Sequence, residues 1–321
     1  MSKATYALDT REVLDIGGSR QHLRIRGTNP DNPVLLFLHG GPGVADRHWV
    51  LAHQSGLADV CTLVCWDQRG SGLSYDARRA KTEKLSIARM VDDASAVLDH
   101  LKTKFHKDKI YIAGHSWGSV LGTLLVQKRP ESIAAYIGIG QVVHGSENER
   151  LSYEFVLNEA KRRGDARALK NLARIGAPVN GRYRSMKDMT VQRNLMTKYG
   201  GGEYKGKSSI WMSMILPLVK SPEYGLFALP RYARGAFYCL GQLWDEVVSL
   251  DFFTAVPELK VPVCLTIGRH DKNTPVELSL KWFESLKAPH KEWVWFEESA
   301  HSPYKEEPEK WGRTVRGILM Q

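Results

Sequence analysis

The sequence contains few cysteines. Only four occur among its 321 residues, at Cys61, Cys65, Cys239 and Cys264. Three of them lie in apolar, strand-like stretches, which is typical of reduced thiols buried in a cytosolic protein. No further Cys or His stands at the spacing of a zinc site. We therefore expect neither disulfides nor a metal, and we expect no cofactor.

Long hydrophobic runs are missing as well. No apolar stretch approaches the roughly 20 residues that a membrane-spanning helix requires. The first six residues, Met1 to Tyr6, contain no apolar segment of the kind that signal peptides have. The sequence therefore predicts a cytoplasmic protein without a membrane partner.

The charge is unevenly distributed along the chain. The formal net charge is +10, and residues 145–250 hold 17 Lys and Arg against 10 Asp and Glu. Basic surfaces attract phosphates, but no nucleic-acid-binding module and no dense basic run accompanies this excess. We therefore expect no nucleic-acid partner and interpret the excess as a solvated basic face. Electrostatic steering of anionic substrates is the alternative.

Apolar runs and helical patterns alternate along most of the chain. Residues 11–16 and 21–26 alternate polar and apolar side chains around two glycines, which predicts a β-hairpin. Further strands are predicted at 33–38, 60–66, 109–115, 134–139, 261–267 and 293–296. Helical patterns lie between them, at 87–101, after 117, at 275–286 and from 308. This alternation predicts an α/β fold with a mostly parallel, eight-stranded sheet and helices on both faces.

The alternation stops between residues 143 and 250, where the pattern is helical and irregular. Asp165 is placed to cap a helix that ends near Gly176, and the glycines at 200–202 predict a flexible joint. Aromatic and methionine side chains between 204 and 238 supply an apolar centre for this region. We therefore predict an inserted helical cap at 143–250 and a core formed by 1–142 and 251–321.

The sequence around Ser116 contains the pattern Gly-x-Ser-x-Gly. It follows the apolar run at 109–115 and precedes a helical pattern. A serine on a sharp turn between a strand and a helix is exposed at the carboxyl edge of the sheet. Ser116 is therefore our candidate nucleophile.

Two further candidates follow other strands of the predicted sheet. Asp271 comes after the strand at 261–267, and His301 comes after the strand at 293–296. Catalytic groups of open α/β sheets collect beyond the carboxyl ends of the strands. A serine hydroxyl needs a base to take its proton, and an acid orients that base. We expect His301 to be the base and Asp271 the acid.

A tetrahedral intermediate also needs preset N–H donors. The backbone amide of Trp117, at the head of the helix after the nucleophile, is one candidate. The other is the amide of Gly41, in the glycine-rich loop after the strand at 33–38.

Other assignments of these residues stay open. Asp271 is also placed to cap the helix near 275, and a lone His301 is typical of a surface loop. His270 competes with His301 as the base, but it lies beside the proposed acid. His39 and His115 follow their strands so closely that we interpret them as residues that bond neighbouring loops.

Four motifs can be compared with known families: His39-Gly40-Gly41-Pro42-Gly43, Trp66-Asp67-Gln68-Arg69-Gly70-Ser71-Gly72-Leu73-Ser74, Gly114-His115-Ser116-Trp117-Gly118-Ser119 and Gly268-Arg269-His270-Asp271. Together they resemble the proline iminopeptidase group of α/β-hydrolases, over about residues 10–142 and 255–320. The resemblance implies the α/β-hydrolase fold and a small-molecule or short-peptide substrate. It also implies Ser116, Asp271 and His301 as the triad, with Gly41 and Trp117 as oxyanion donors.

The cap departs from that group. Prolyl aminopeptidases hold the free amine of the substrate with cap carboxylates, one of them in a Trp-x-x-Trp-Glu pattern that this sequence lacks. Trp211 is followed by Met-Ser-Met, and the basic excess of the cap disfavours a cationic amine. The resemblance thus supports the fold and the catalytic residues of the predicted core, but it does not support the substrate specificity of a prolyl aminopeptidase.

The resulting hypothesis is a serine hydrolase that cleaves an ester, lactone or amide bond through an acyl-enzyme. Within it, an aminopeptidase and a small-molecule esterase or lactonase stay open, as does a carbon–carbon bond hydrolase. Epoxide hydrolases and haloalkane dehalogenases attack with a carboxylate, and Ser116 disfavours them. A non-catalytic binding protein that uses the cap pocket is the alternative from another class. The oligomeric state is left open.

Overall fold

The computed structural model describes residues 6–205 and 216–320 of the chain. Eight strands form one sheet in the order β1-β2-β4-β3-β5-β6-β7-β8. They are β1 (Leu8–Ile16), β2 (Ser19–Gly27), β3 (Val34–Leu38), β4 (Thr62–Asp67), β5 (Ile110–His115), β6 (Ile133–Ile139), β7 (Val263–Gly268) and β8 (Lys291–Phe296). The eight predicted strands are thus confirmed, with small shifts at their ends.

Helices connect most of the strands. Those of the core are α1 (Arg47–His53), α2 (Ile87–Phe105), α3 (Trp117–Lys128), α8 (Phe252–Ala255), α9 (Val276–Ser285), α10 (Pro303–Glu306) and α11 (Pro308–Leu319). Between β6 and β7 the described residues contain α4 (Gly145–Arg162), α5 (Ala166–Ile175), α6 (Met186–Lys198) and α7 (Leu229–Val248). The helical character expected of residues 143–250 is therefore present in their described part.

The sheet is antiparallel at one edge and parallel elsewhere. The β1–β2 hairpin turns at Gly17 and Gly18, whose φ angles of 55° and 72° favour glycine. Strand β2 then pairs antiparallel with β4. All remaining pairs, from β4 to β8, are parallel. The carboxyl ends of β3 to β8 therefore meet at one edge, where the predicted site residues follow them.

An apolar layer covers each face of the sheet. One layer includes side chains of α2, α3 and α9, and the other includes side chains of α1 and α11. Strand β3, at the centre of the sheet, is buried throughout its length, as its continuous apolar run predicts. The side chains of all four cysteines are buried, and none of them is bonded to another.

Helices α4, α5 and α6 pack around an apolar cluster of their own, which includes Tyr153, Leu172 and Met196. The side chain of Asp165 accepts a hydrogen bond from the Ala168 amide and so caps α5, as predicted. The predicted cap residues Trp211, Met212 and Met214 lie outside the described part of the chain.

Helix α7 and the segment before it contact the loop after β4, strand β2 and helix α1. A methyl group added at Gly235 of α7 would lie 2.6 Å from the carbonyl oxygen of Gly70, so the two backbones pass in close contact. Glu223 is 5% exposed, and its Oε1 accepts a hydrogen bond from Nε of Arg24 at 3.1 Å. Its carbonyl oxygen accepts one from Nη2 of Arg47 at 3.0 Å. Within the described ranges, none of the helices is long and apolar enough to traverse a lipid bilayer.

Candidate active site

Ser116 lies on a sharp turn between β5 and α3. Its φ angle is 54° and its ψ angle −119°, a conformation that residues with a side chain rarely adopt. The strand and the helix cross closely, since a methyl group added at Gly114 would lie 2.3 Å from the carbonyl oxygen of Gly118. The Ser116 amide donates a hydrogen bond of 2.9 Å to the carbonyl oxygen of Ile139 in β6. This strained strand–turn–helix geometry is that of a nucleophile elbow.

Asp271 and His301 are hydrogen-bonded to each other. Oδ2 of Asp271 lies 2.9 Å from Nδ1 of His301, although the two residues belong to loops after different strands. Asp271 is fully buried and His301 is 9% exposed. Because a carboxylate only accepts, Nδ1 of His301 carries a proton in this pair, and in the neutral ring Nε2 is left as an acceptor.

The Asp271 carboxylate is also held by its own turn. Its Oδ1 accepts the amides of Asn273 and Thr274, both at 2.9 Å, and its Oδ2 accepts the Thr274 hydroxyl at 2.6 Å. Burial by itself would raise the pKa of Asp271. Attraction to His301 and the hydrogen bonds outweigh burial, so the pKa lies below its ordinary value of 3.8. The carboxylate is therefore ionised at neutral pH.

Ser116 and His301 both contact the carboxyl end of β6. Ile139 accepts the Ser116 amide, and the next residue, Gly140, packs on His301. A methyl group added at Gly140 would lie 2.9 Å from Nδ1 of His301. The imidazole of His115, the residue before Ser116, has its centre 4.8 Å from that of His301. Residues from three separate strand ends thus gather in one place.

The residues Gly41 and Trp117, whose amides are the candidate oxyanion donors, lie near Ser116. Trp117 is the first residue of α3, so its amide has no partner one turn earlier in the helix. Gly41 has a φ angle of 124°, and a methyl group added at its neighbour Gly40 would lie 3.3 Å from Cβ of Ser116. Within residues 6–205 and 216–320, neither amide donates a hydrogen bond.

His39 and His115 bond neighbouring loops, as predicted. Nε2 of His39 lies 2.9 Å from Oγ of Ser71 and accepts the amide of Gln68 at 3.1 Å. Nε2 of His115 lies 3.0 Å from the carbonyl oxygen of His301. Both rings are buried and engaged by the scaffold.

His270 lies away from the buried pair. Its ring stacks on Tyr204 with ring centres 4.1 Å apart, and its Nε2 lies 3.2 Å from the carbonyl oxygen of Glu297. It makes no contact of this kind with Asp271. His301 is therefore the better candidate for the base.

No prediction from the sequence covered Thr274 or Glu306, whose side chains bond Asp271 and the loop of His301. Oγ of Thr274 bonds the acid and lies 3.4 Å from Nδ1 of His301. Its only sequence signal is its position three residues after Asp271, which is typical of a side chain-capped turn. The structure places Pro275 rather than Asp271 at the start of α9, so Asp271 caps its own turn and not that helix. Glu306 lies in a charged stretch that resembles any solvated surface.

A cavity of about 810 Å³ lies beside this site. Its lining includes His48 and Trp49 of α1, Glu223 before α7, and Lys305 and Glu306 of α10. Ser116, Asp271 and His301 do not line it. We therefore do not assign the reacting bond of a substrate to this cavity.

Comparison with known proteins agrees with this geometry. A family model described as the alpha/beta hydrolase fold matches residues 33–308, which is most of the chain. The chain belongs to the α/β-hydrolase family. It is 36% identical to the probable aminopeptidase YbaC of Bacillus subtilis (strain 168), over 94% of this chain and 93% of that protein. As a member of this family with such relatives, it is a hydrolase.

Two more distant matches also extend over nearly the whole chain. The proline iminopeptidase of Heyndrickxia coagulans is 25% identical over 97% of this chain and 98% of its own length. The crystal structure of VinJ superposes with a TM-score of 0.68 at 18% identity, over 97% of this chain and 98% of that one. At that identity the superposition shows the shared fold alone. Among the described residues, no group of three or more His, Cys, Asp and Glu side chains is arranged to hold a metal.

Proposed function

We propose that this α/β-hydrolase is a serine hydrolase in which Ser116 is the nucleophile, His301 the general base and Asp271 the acid that orients it. Oγ of Ser116 attacks the carbonyl carbon of the substrate while Nε2 of His301 takes the hydroxyl proton. His301 then gives this proton to the leaving group, which departs and leaves an acyl group on Ser116. Water, activated by the same imidazole, hydrolyses the acyl-enzyme and restores the serine.

The contact between Asp271 and His301 is the observation that carries the proposal. The 2.9 Å hydrogen bond joins a buried carboxylate to an imidazole that packs on Gly140, and the residue before Gly140 accepts the amide of Ser116. The low pKa of Asp271 keeps the carboxylate charged, so it stabilises the imidazolium that forms when His301 takes the proton. The free amides of Gly41 and Trp117 support a role as donors to the oxyanion.

The relatives favour a peptide substrate. A probable aminopeptidase and a proline iminopeptidase match nearly the full chain. We infer an amide bond next to an N-terminal residue as the first substrate class to test, with small molecules and short peptides as the range of sizes.

The charges in the cap support a second candidate, a small-molecule ester or lactone. The buried cap carboxylates Glu149 and Glu223 each bond an arginine, Arg193 at 2.5 Å and Arg24 at 3.1 Å. A carboxylate already neutralised by an arginine attracts the amine of a peptide less strongly. A substrate without a free amine avoids this difficulty.

The test is a chromogenic panel that contains a proline arylamide, short and long acyl esters and lactones. We expect the wild type to turn over at least one class, and Ser116→Ala to lose about 10³-fold or more of kcat. Ser285→Ala, which changes a serine at the end of α9, serves as the matched control and keeps wild-type kcat. A fluorophosphonate probe is expected to label the wild type once and Ser116→Ala not at all.

Wild-type turnover by Ser116→Ala would refute the assignment of the nucleophile. A wild type that neither turns over the panel nor reacts with the probe would support the non-catalytic binding protein instead. The ratio of kcat/KM for the arylamide and the esters decides between the two substrate classes.

A further inference from the structure

A turn of the cap touches the loops of both the predicted acid and the predicted base. This turn, residues 201–204, follows α6 and is called the cap turn below. The run of glycines predicts a flexible joint here, yet the turn makes specific hydrogen bonds to the core. These bonds reach loops that lie after two different strands.

The first set of contacts reaches the acid loop. The carbonyl oxygen of Gly201 accepts a hydrogen bond of 2.8 Å from the amide of Lys272, the residue after Asp271. The approach is close, since a methyl group added at Gly201 would lie 2.8 Å from Cβ of Lys272 and 2.7 Å from Cε1 of Phe155. Only glycine fits between the acid loop and α4 at this position.

The second set reaches the base loop through Glu306. Its Oε2 accepts the amides of Ala300 at 3.0 Å and Ser302 at 3.1 Å, the residues on either side of His301. Its Oε1 accepts the amide of Tyr204 in the cap turn at 2.7 Å. One carboxylate therefore bridges the backbone around the predicted base and the backbone of the cap.

Two more contacts strengthen the same bridge. The carbonyl oxygen of Gly202 lies 3.4 Å from the amide of His301 itself. Nζ of Lys305 forms an ion pair of 2.9 Å with Glu203 of the cap turn. The cap turn is thus joined to the acid loop at one end and to the base loop at the other.

This arrangement matters because catalytic groups must be held closely in place. A displacement of about 1 Å in a catalytic group costs up to about 100-fold in rate. Hydrogen bonds that an ionised carboxylate accepts from amides are about twice as strong as neutral ones. Three such bonds converge on Glu306, and two of them flank the residue whose imidazole must meet Ser116.

We propose that Glu306 is a positioning residue and that, together with the cap turn, it holds the loops of Asp271 and His301 in the relative placement that catalysis requires. This proposal rests on the proposed function, since it assumes that His301 is the base. Glu306 acts through His301 and does not touch the substrate. The cap, which is expected to select substrates, is by this route also part of the support of the catalytic pair.

The test substitutes Glu306→Gln. A glutamine must place its NH₂ group against an amide donor, of either Tyr204 or the His301 loop, so the bridge is broken on one side. We measure the rate of fluorophosphonate labelling by intact mass, together with kcat and KM for the best ester of the panel. The expected result is a labelling rate and a kcat about 10- to 100-fold lower, with KM within about two-fold of the wild type.

Two comparisons separate positioning from general damage. In a His301→Ala background, Glu306→Gln is expected to cause no further loss of labelling rate, because its effect passes through His301. The matched control is Glu307→Gln, whose carboxylate bonds the Glu298 amide and the Ser299 hydroxyl but no residue of the cap turn. We expect this control to lose less than about three-fold in rate.

Wild-type labelling by Glu306→Gln, or an equal loss in the presence and absence of His301, would overturn the proposal. If Glu306→Gln does not fold, Gly201→Ala tests the acid end of the bridge. Its added methyl group displaces Lys272, and we expect kcat to fall about ten-fold or more while Gly317→Ala, with open space around it, stays unchanged. If Ser116→Ala reacts with the probe and turns over substrate at the wild-type rate, the proposed function itself fails. If Ser116→Ala is inactive but Glu306→Gln and Gly201→Ala behave as the wild type, only the proposal about Glu306 and the cap turn fails.

Discussion

Nε2 of His115 lies 3.0 Å from the carbonyl oxygen of His301, so the residue before the predicted nucleophile holds the backbone of the predicted base. A carbonyl oxygen accepts, and Nε2 of His115 therefore carries the proton in this bond. Burial lowers the pKa of His115, and the nearby His301 lowers it further against the opposing effect of Asp46. His115 is consequently a neutral donor.

Removal of this donor is expected to slow catalysis. His115→Leu leaves the His301 carbonyl without its partner and is expected to lower kcat about ten-fold, which corresponds to about 1.4 kcal/mol. His115→Gln keeps an N–H near the position of Nε2 and should retain most of the activity. The measurement is kcat for the fastest ester of the panel. Equal and undiminished kcat in both variants would contradict the assigned hydrogen bond.

Asp271→Asn is expected to lower kcat about 10³- to 10⁴-fold, as a change of tautomer does in other serine triads. The variant keeps Oδ1 as the acceptor for the amides of Asn273 and Thr274. It places an NH₂ group beside Nδ1 of His301, so this nitrogen must accept and Nε2 must carry the proton. His301 then cannot take a proton from Ser116. Steady-state kinetics test this, and a loss below about ten-fold would exclude Asp271 as the acid.

The carboxylate of Asp271 also makes the unfolding free energy of the protein depend on pH. Because the pKa of Asp271 is lower in the folded than in the unfolded protein, its charged form stabilises the fold at pH values above about 4. This contribution disappears as the pH falls through the folded-state pKa. The difference in unfolding free energy between wild type and Asp271→Asn should thus shrink as the pH is lowered from about 6 to about 3. Urea denaturation measures it, and a difference that grows on acidification would show the opposite sign of the shift.

Gly118→Ala is expected to destabilise the protein by at least about 3 kcal/mol, at the upper end of the cost of overpacking. The added methyl group would lie 2.0 Å from the carbonyl oxygen of Leu38, and backbone cannot move aside as a flexible side chain can. Gly317→Ala is the matched control, since nothing lies within 4 Å of the added group. Inside α11 it should stabilise the helix by up to about 1 kcal/mol. Equal unfolding free energies of the two variants, measured in urea, would disprove the close crossing of α3 and β3.

The sequence was sufficient to predict the sheet and the four longest helices of the core, α2, α3, α9 and α11, because each has a local signal. The short helices α1, α8 and α10 were not predicted. Alternation of polar and apolar residues around Gly17 and Gly18 marks the hairpin, and continuous apolar runs mark the buried parallel strands. The candidate residues at the strand ends were chosen in the same way, since Ser116, Asp271 and His301 each come within five residues of the end of such a run. The periodicity of apolar residues and the glycines that end each run are both local features of the sequence.

The contacts that support the site could not be predicted in that way. Glu223 and Arg24, which form one of them, are 199 residues apart in the sequence. Glu306 bonds amides of the cap turn and of the His301 loop, and backbone amides have no sequence identity to recognise. The glycines of the cap turn predicted a flexible joint. Glycine occurs both in flexible joints and where backbones pack closely, so the sequence does not distinguish the two. Such contacts become visible only when the chain is folded.

The anchoring of Glu223 at Arg24 has a consequence for how the enzyme can diversify. Arg24 belongs to the antiparallel hairpin at the sheet edge, far along the order of strands from β7 and β8. The segment before α7 is therefore held on one side by a part of the sheet that carries none of the predicted catalytic residues. Arg26 of the same hairpin and Glu223 both line the cavity of about 810 Å³. Substitutions in the first thirty residues of the chain can thus reshape this cavity without replacing any residue of the predicted triad.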